Sequence, residues 1–183
     1  MPCQIKVVTC DKNKEHMEIL HSALNQSTYE TDYVIERGKP MPSKNHARLQ
    51  TRFGRALLNK YETIFDIETE MSLELTSGKA TPDVAISPFT EDDWFNDEIK
   101  VKVAPLSVIE IVSPTQSIDE IKDKIIKIYF PAGVKSAWIV IPTLQSIYIL
   151  TPDKKVRNFT SGIVKDDAVG IELDMQSVFP SQS

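Results

Sequence analysis

Hydrophobic positions recur along this chain with two periods, and the switches between them mark its elements. In NKEHMEILHSALN, 13–25, Met17, Leu20 and Leu24 stand at helical spacing and predict a short first helix. TDYVIERGKPMPS, 31–43, reads as a strand running into a Gly/Pro turn, after which Ser43 is placed to cap a helix through about Lys60. On that helix Leu49, Phe53, Ala56, Leu57 and Lys60 share one side, and Lys44, Arg48, Arg52 and Arg55 share another. IFDIETEMSLEL, 64–75, alternates as a half-solvated strand does, TSGK follows as a turn, and TPDVAIS, 81–87, is the next short strand. PFTEDDWFNDE, 88–98, reads as an acidic loop; beyond it Lys100 and Lys102 alternate with Ile99, Val101 and Val103. PLSVIEIVS, 105–113, is a more apolar strand, and SIDEIKDKIIKIYFPAG, 117–133, is a helix with Ile118, Ile121, Ile125 and Ile128 as its buried stripe, ended by Pro131 and Gly133. SAWIVIP, QSIYILT and KKVRNFT close the chain as strands. The order predicts an α/β fold with a mixed sheet.

One polar position breaks this pattern. Glu110 lies inside the apolar run Val108, Ile109, Ile111, Val112, where a carboxylate costs several kcal/mol, roughly, unless it is hydrogen-bonded, neutralised or bound to a cation. Asp83 follows Pro82 at the start of TPDVAIS, so neighbouring strands can bring two carboxylates side by side. Mg²⁺ is held by one or two carboxylates and keeps several waters; the backbone carbonyl of Ile111 would offer a further ligand. A cation near the attacking water completes such a site, and the helix over 117–133 offers Lys124, about 40° from the edge of its apolar stripe, then Lys122, then Lys127. A carboxylate paired with Lys124 as a structural ion pair would give Glu110 the same setting, and Asp83 after a proline is also an ordinary turn residue.

TPDVAIS, APLSVIEIVSPTQS and DKIIKIYFPAGVKSAWIVIP together resemble a large bacterial family of restriction endonucleases within the PD-(D/E)XK phosphodiesterase superfamily. YVIERGKPMPSKNHARLQTRFGRAL and GIELDMQSVF extend the resemblance, which covers most of residues 29–179. It implies a restriction-endonuclease-like mixed β-sheet flanked by helices, with Asp83 and Glu110 as ligands of Mg²⁺ or Mn²⁺ in a nuclease. In the wider superfamily a lysine stands two residues after the glutamate, where this chain has Val112. In the family that lysine lies on the next helix, four residues before the tyrosine; that position is Ile125 here, so Lys124 takes the role with a one-residue shift. The family also shows a histidine at the place of His46, expected as an accessory residue; Glu36, in the strand before, is a further accessory carboxylate or a partner of a nearby lysine.

Composition narrows the function. The 183 residues carry a net charge of −5, which excludes a protein that coats nucleic acid by bulk positive charge. Phosphate binding has to be local, and Arg37 to Lys60 supplies seven basic residues with no Asp or Glu among them. Lys44, Arg48, Arg52 and Arg55 are its nucleic-acid-binding candidates; a solvated face paired with the acidic loop or with a second subunit is the alternative. Trp94 and Phe95 would stack on a base or join a dimer contact. The two cysteines, Cys3 and Cys10, lack zinc-ligand spacing, no stretch reaches the ~20 apolar residues of a membrane span, and no signal peptide is visible, so a cytoplasmic location is expected. One domain over 1–183 is expected, with 1–28 as an N-terminal extension. The reading is a metal-dependent endonuclease acting on DNA as a two-fold dimer, the dimer argued from the apolar SAWIVIP and QSIYILT strands taken as a peripheral hairpin. Two alternatives stand beside it: a nucleic-acid-binding or assembly protein that kept the fold without catalysis, and a structural subunit that touches no DNA.

Overall fold

The structure, a computed structural model, describes residues 42–91 and 93–181, which belong to a compact unit beginning at Pro42. The helix expected over 13–25, the strand expected over 31–43 as far as Met41, and Glu36 lie outside the described residues. Helix α1 (Lys44–Tyr61) begins where the sequence places it: the Ser43 hydroxyl accepts the His46 amide at 3.3 Å, satisfying one orphan donor of the first turn. Leu49, Phe53, Leu57 and Tyr61 form its buried side, while Lys60 is exposed.

The strands are β1 (Phe65–Thr69), β2 (Leu73–Leu75), β3 (Gly78–Ala80), β4 (Val84–Pro88) and β5 (Ser107–Ile111), then β6 (Ser136–Ile141), β7 (Ser146–Leu150), β8 (Val156–Phe159), β9 (Ile163–Asp166) and β10 (Ile171–Asp174). Between β5 and β6 runs α2 (Ile118–Lys124), continued by a π-helical turn over Ile125–Tyr129; α3 (Met175–Val178) follows β10. Six strands form one sheet in the order β1-β4-β5-β6-β7-β8, in which β5 and β6 are parallel and the other neighbours antiparallel. A parallel pair needs a crossover, and α2 supplies it. The sheet is covered on both faces. Ile109 and Ile111 of β5 join Phe53 and Leu57 of α1 and Trp138 of β6 in one core, closed by β9, β10 and α3. Val108 points the other way, into a core with Ile121, Ile125 and Tyr129, under the β2–β3 hairpin. Burial on both faces is why SVIEI and SAWIVI read as almost continuous apolar runs. Phe53 meets the Trp138 ring edge-on at 6.4 Å, and its truncation to alanine costs about 3–5 kcal/mol on general grounds.

Four expectations are corrected. The single strand over 64–75 is two, because Glu70 has φ 58° and turns the chain out of the sheet. The alternating Ile99–Val103 stretch makes one isolated bridge, Leu73 with Val101, rather than a strand. Ile118, expected in the buried stripe of α2, is exposed, and Tyr129 is buried in its place beyond the π turn. The SAWIVIP and QSIYILT strands are interior, β6 between β5 and β7 and β7 between β6 and β8; their apolar character is explained by burial and no longer argues for a dimer. The β9–β10 hairpin was not predicted. It carries Asp166, buried and satisfied by the Trp138 indole N–H at 2.7 Å, the Ala168 amide at 3.1 Å and the Ser136 hydroxyl. No helix among the described residues is long and apolar enough to cross a membrane.

Candidate active site

Strands β4 and β5 pair Val84 with Ile109 and Ala85 with Val108, so continuing that register sets Asp83 opposite Glu110. Asp83 stands one residue before β4, after a proline that has no N–H to give the ladder. Its own carboxylate continues the pairing instead: Oδ2 accepts the Ile111 amide at 2.7 Å. The other oxygen faces α1, where His46 Nε2 lies 3.1 Å from Oδ1. His46 is fixed in turn by Ser113 Oγ, 2.9 Å from Nδ1. One helical turn on, the Gln50 amide donates both to the Asp83 carbonyl and to Glu70 Oε1, each at 2.9 Å. His46, Glu70 and Asp83 thereby bring one ligand atom each within 4.8 Å of one another. An imidazole nitrogen with two carboxylates suits Mn²⁺, and the carboxylates suit Mg²⁺.

Glu110 is built from the other side of the sheet. It is buried, Lys124 Nζ donates to Oε2 at 3.0 Å, and the Tyr129 hydroxyl donates to Oε1 at 2.5 Å. Burial holds its carboxyl above the ordinary glutamate value of 4.5: desolvation outweighs the Lys124 charge, and the nearby Asp83 charge pushes the same way as desolvation. The Tyr129 phenol is raised well above 10.0, first by burial and then by the Glu110 charge. Lys124 therefore leans inward as its helical angle suggested, while Lys122 pairs with Asp119 and Lys127 with Asp123 on the exposed face. Lys122 does not reach the carboxylates.

The basic residues lie elsewhere on α1. Lys44, Arg48 and Arg55 are exposed, and Arg52 is half-buried with its guanidinium donating to the Val178 carbonyl at 3.0 Å. All four line a surface hollow of about 620 Å³. By helix geometry they sit about 120–180° around α1 from His46, Arg55 directly opposite it and Arg52 the least far round. Among the described residues no ion pair joins them to the acidic loop. Trp94 and Phe95 are exposed, but Trp94 borders a hollow of about 460 Å³ lined by Glu62, Asp66, Glu68, Glu91, Asp93 and Asp97, whose charge repels phosphate and counts against base stacking there.

Sequence reasoning did not find Glu70, Gln50, Ser113 or Tyr129 as parts of the site. Gln50 stands four residues after His46, which is a readable signal; Glu70 depends on a left-handed turn that no residue announces.

An α/β sheet with two buried carboxylates at adjoining strand ends and a lysine from the crossover helix is the architecture of a nuclease-like protein, and the comparisons agree. The Uma2 family model, described as "Putative restriction endonuclease", matches residues 21–176, and the chain belongs to that family. Among solved structures, a putative nuclease belonging to DUF820 from Anabaena variabilis is similar with a TM-score of 0.67 and 21% identity, covering 77% of this chain and 83% of that one. At that identity the likeness concerns the fold. No curated protein sequence matches the chain.

Proposed function

We propose that the protein is a metal-dependent endonuclease that hydrolyses phosphodiester bonds in DNA, with Asp83 and Glu110 as ligands of Mg²⁺ or Mn²⁺, His46 or Glu70 joining on the Asp83 side, and the Ile111 carbonyl as a further donor. The observation that carries this is that two buried carboxylates stand opposite each other where the β4–β5 register continues, with His46 and Glu70 beside the first and Lys124 on the second. Bound there, the cation would polarise a phosphoryl oxygen and acidify a water. The chain's own groups do the rest. The Ile111 amide and His46 keep Asp83 in one orientation. The Lys124 ammonium, 3.0 Å from Glu110 Oε2, is available to hold the attacking water or the charge that develops on phosphate. The basic hollow on α1 would neutralise phosphates away from the scissile bond.

Nicking of supercoiled plasmid tests this reading. Mn²⁺- or Mg²⁺-dependent nicking, abolished by EDTA and by Asp83→Asn, is expected. Metal present and no nicking by the wild type would sink it. The position of the basic face, across α1 from His46, favours one second reading: a protein that binds nucleic acid through α1 without cutting. Salt-sensitive binding in EDTA with no nicking in Mn²⁺ is its signature.

A further inference from the structure

Two residues five positions apart in one helix hold the same carboxylate. In a regular α-helix such residues lie about 140° apart around the axis, on different faces, whereas residues four apart lie about 40° apart. The π-helical turn removes this difference. The Phe130 amide donates to the Ile125 carbonyl, five residues back, at 2.9 Å, so one extra residue is taken up within the turn. The surplus goes to solvent: Ile126 is 51% exposed, while Ile125 and Tyr129 are fully buried. The turn is also held from outside, because Ser77 Oγ donates to the Ile128 carbonyl at 2.5 Å and the Val134 amide returns to the Tyr129 carbonyl at 3.2 Å.

We propose that this turn is a positioning device for Glu110 and that Tyr129 is its positioning residue, a role that rests on reading Glu110 as a metal ligand. The two partners of the carboxylate are unequal. Tyr129 is fully buried and holds Oε1, whereas the Lys124 side chain is 22% exposed and holds Oε2. Oε1 is therefore fixed and Oε2 exchangeable. Oε2 is thus the oxygen that would hold a divalent cation in place of the Lys124 ammonium, with the phenol keeping the carboxylate aimed. The lysine so displaced remains beside the site, with enough exposure to meet a phosphate.

Mn²⁺ titration of the full chain, followed by electron paramagnetic resonance, tests the positioning role. Tyr129→Phe should keep its circular dichroism and bind Mn²⁺ about tenfold more weakly. Deletion of Ile126 restores four-residue spacing, so Lys124 and Tyr129 should both still reach Glu110 and affinity should stay within about threefold of wild type. Wild-type affinity in Tyr129→Phe, with none in Glu110→Gln, would make Tyr129 a packing residue and overturn the proposal. So would loss of binding in a folded Ile126 deletion. A second readout needs no metal: the buried Tyr129 hydroxyl proton should give a downfield proton resonance that vanishes in Tyr129→Phe, moves in Glu110→Gln and persists in the Ile126 deletion. If wild type takes up no Mn²⁺, the metal reading has failed by itself. The resonance then decides the proposal, and its absence from wild type, or from the Ile126 deletion, overturns it.

Discussion

The two carboxylates of the site are held in opposite ways. Asp83 is gripped by the backbone and by α1: an amide on one oxygen, an imidazole by the other, and Gln50 behind it. Among the described residues, Glu110 is gripped only by side chains of the crossover helix, one of them partly in water. The first carboxylate is part of the sheet's own hydrogen bonding, so losing it damages the fold. The second is a carboxylate placed in a core, compensated by one ammonium and one phenol rather than by the sheet.

Substitutions separate the two. Asp83→Ala should have the largest effect, because it orphans the buried Ile111 amide and leaves His46 facing a void: about 2–3 kcal/mol of stability lost in chemical denaturation, with Mn²⁺ binding gone. Lys124→Met should come next. It strips the counter-charge from Glu110, and about 1–2 kcal/mol should be lost at a pH above the raised Glu110 value but much less at a pH below it, where the carboxyl is protonated. Equal losses at both pH values would show that the ammonium contributes packing rather than charge. Glu110→Gln should be smaller still without metal, since glutamine keeps an acceptor for Tyr129 and removes the buried charge. The sign follows from the raised carboxyl of Glu110. Its protonated form is the one the folded state prefers, so stability is full below the ordinary value of 4.5 and falls as pH rises through the raised value. In EDTA the melting temperature of Glu110→Gln at pH 7–8 should therefore equal or exceed that of wild type, while excess Mn²⁺ stabilises only the wild type. A large loss in EDTA, with no Mn²⁺-induced gain in wild type, would return Glu110 to a structural ion pair. Last, Arg48→Ala with Arg55→Ala should leave melting within about 0.5 kcal/mol and lower the salt slope of DNA binding by about two.

Much of this arrangement was legible in the chain. The interruption of SVIEIVS by Glu110, the proline before Asp83 and the angle of Lys124 on its helix each pointed to where they stand, because each is a local conflict between polarity and pattern. Ser43 and the apolar side of α1 were equally plain. Glu70 was not: its position depends on one residue adopting φ 58°, and glutamate carries no mark of that. Tyr129 was hidden by the assumption of 3.6 residues per turn, which assigns the buried stripe to Ile128 and breaks down at a wide turn. The β9–β10 hairpin escaped because its strands are four residues each, too short for alternation to stand out from a turn.

The indole of Trp138 has an optical consequence. It is enclosed in the core with its N–H on Asp166, while the other tryptophan, Trp94, stands almost wholly in solvent. The fluorescence of the protein is thus a sum of two separable emitters, a blue-shifted one sheltered from a cationic quencher such as caesium and a red-shifted one that its acidic surroundings open to it. Caesium silences Trp94 first and leaves a signal from the centre of the sheet, so quenched emission follows the opening of the α1 core without a label. Replacing Trp94 by Phe gives the same single-site reporter, and any change in its emission when Mn²⁺ is added would mean that the strain of loading the carboxylates is felt across β6.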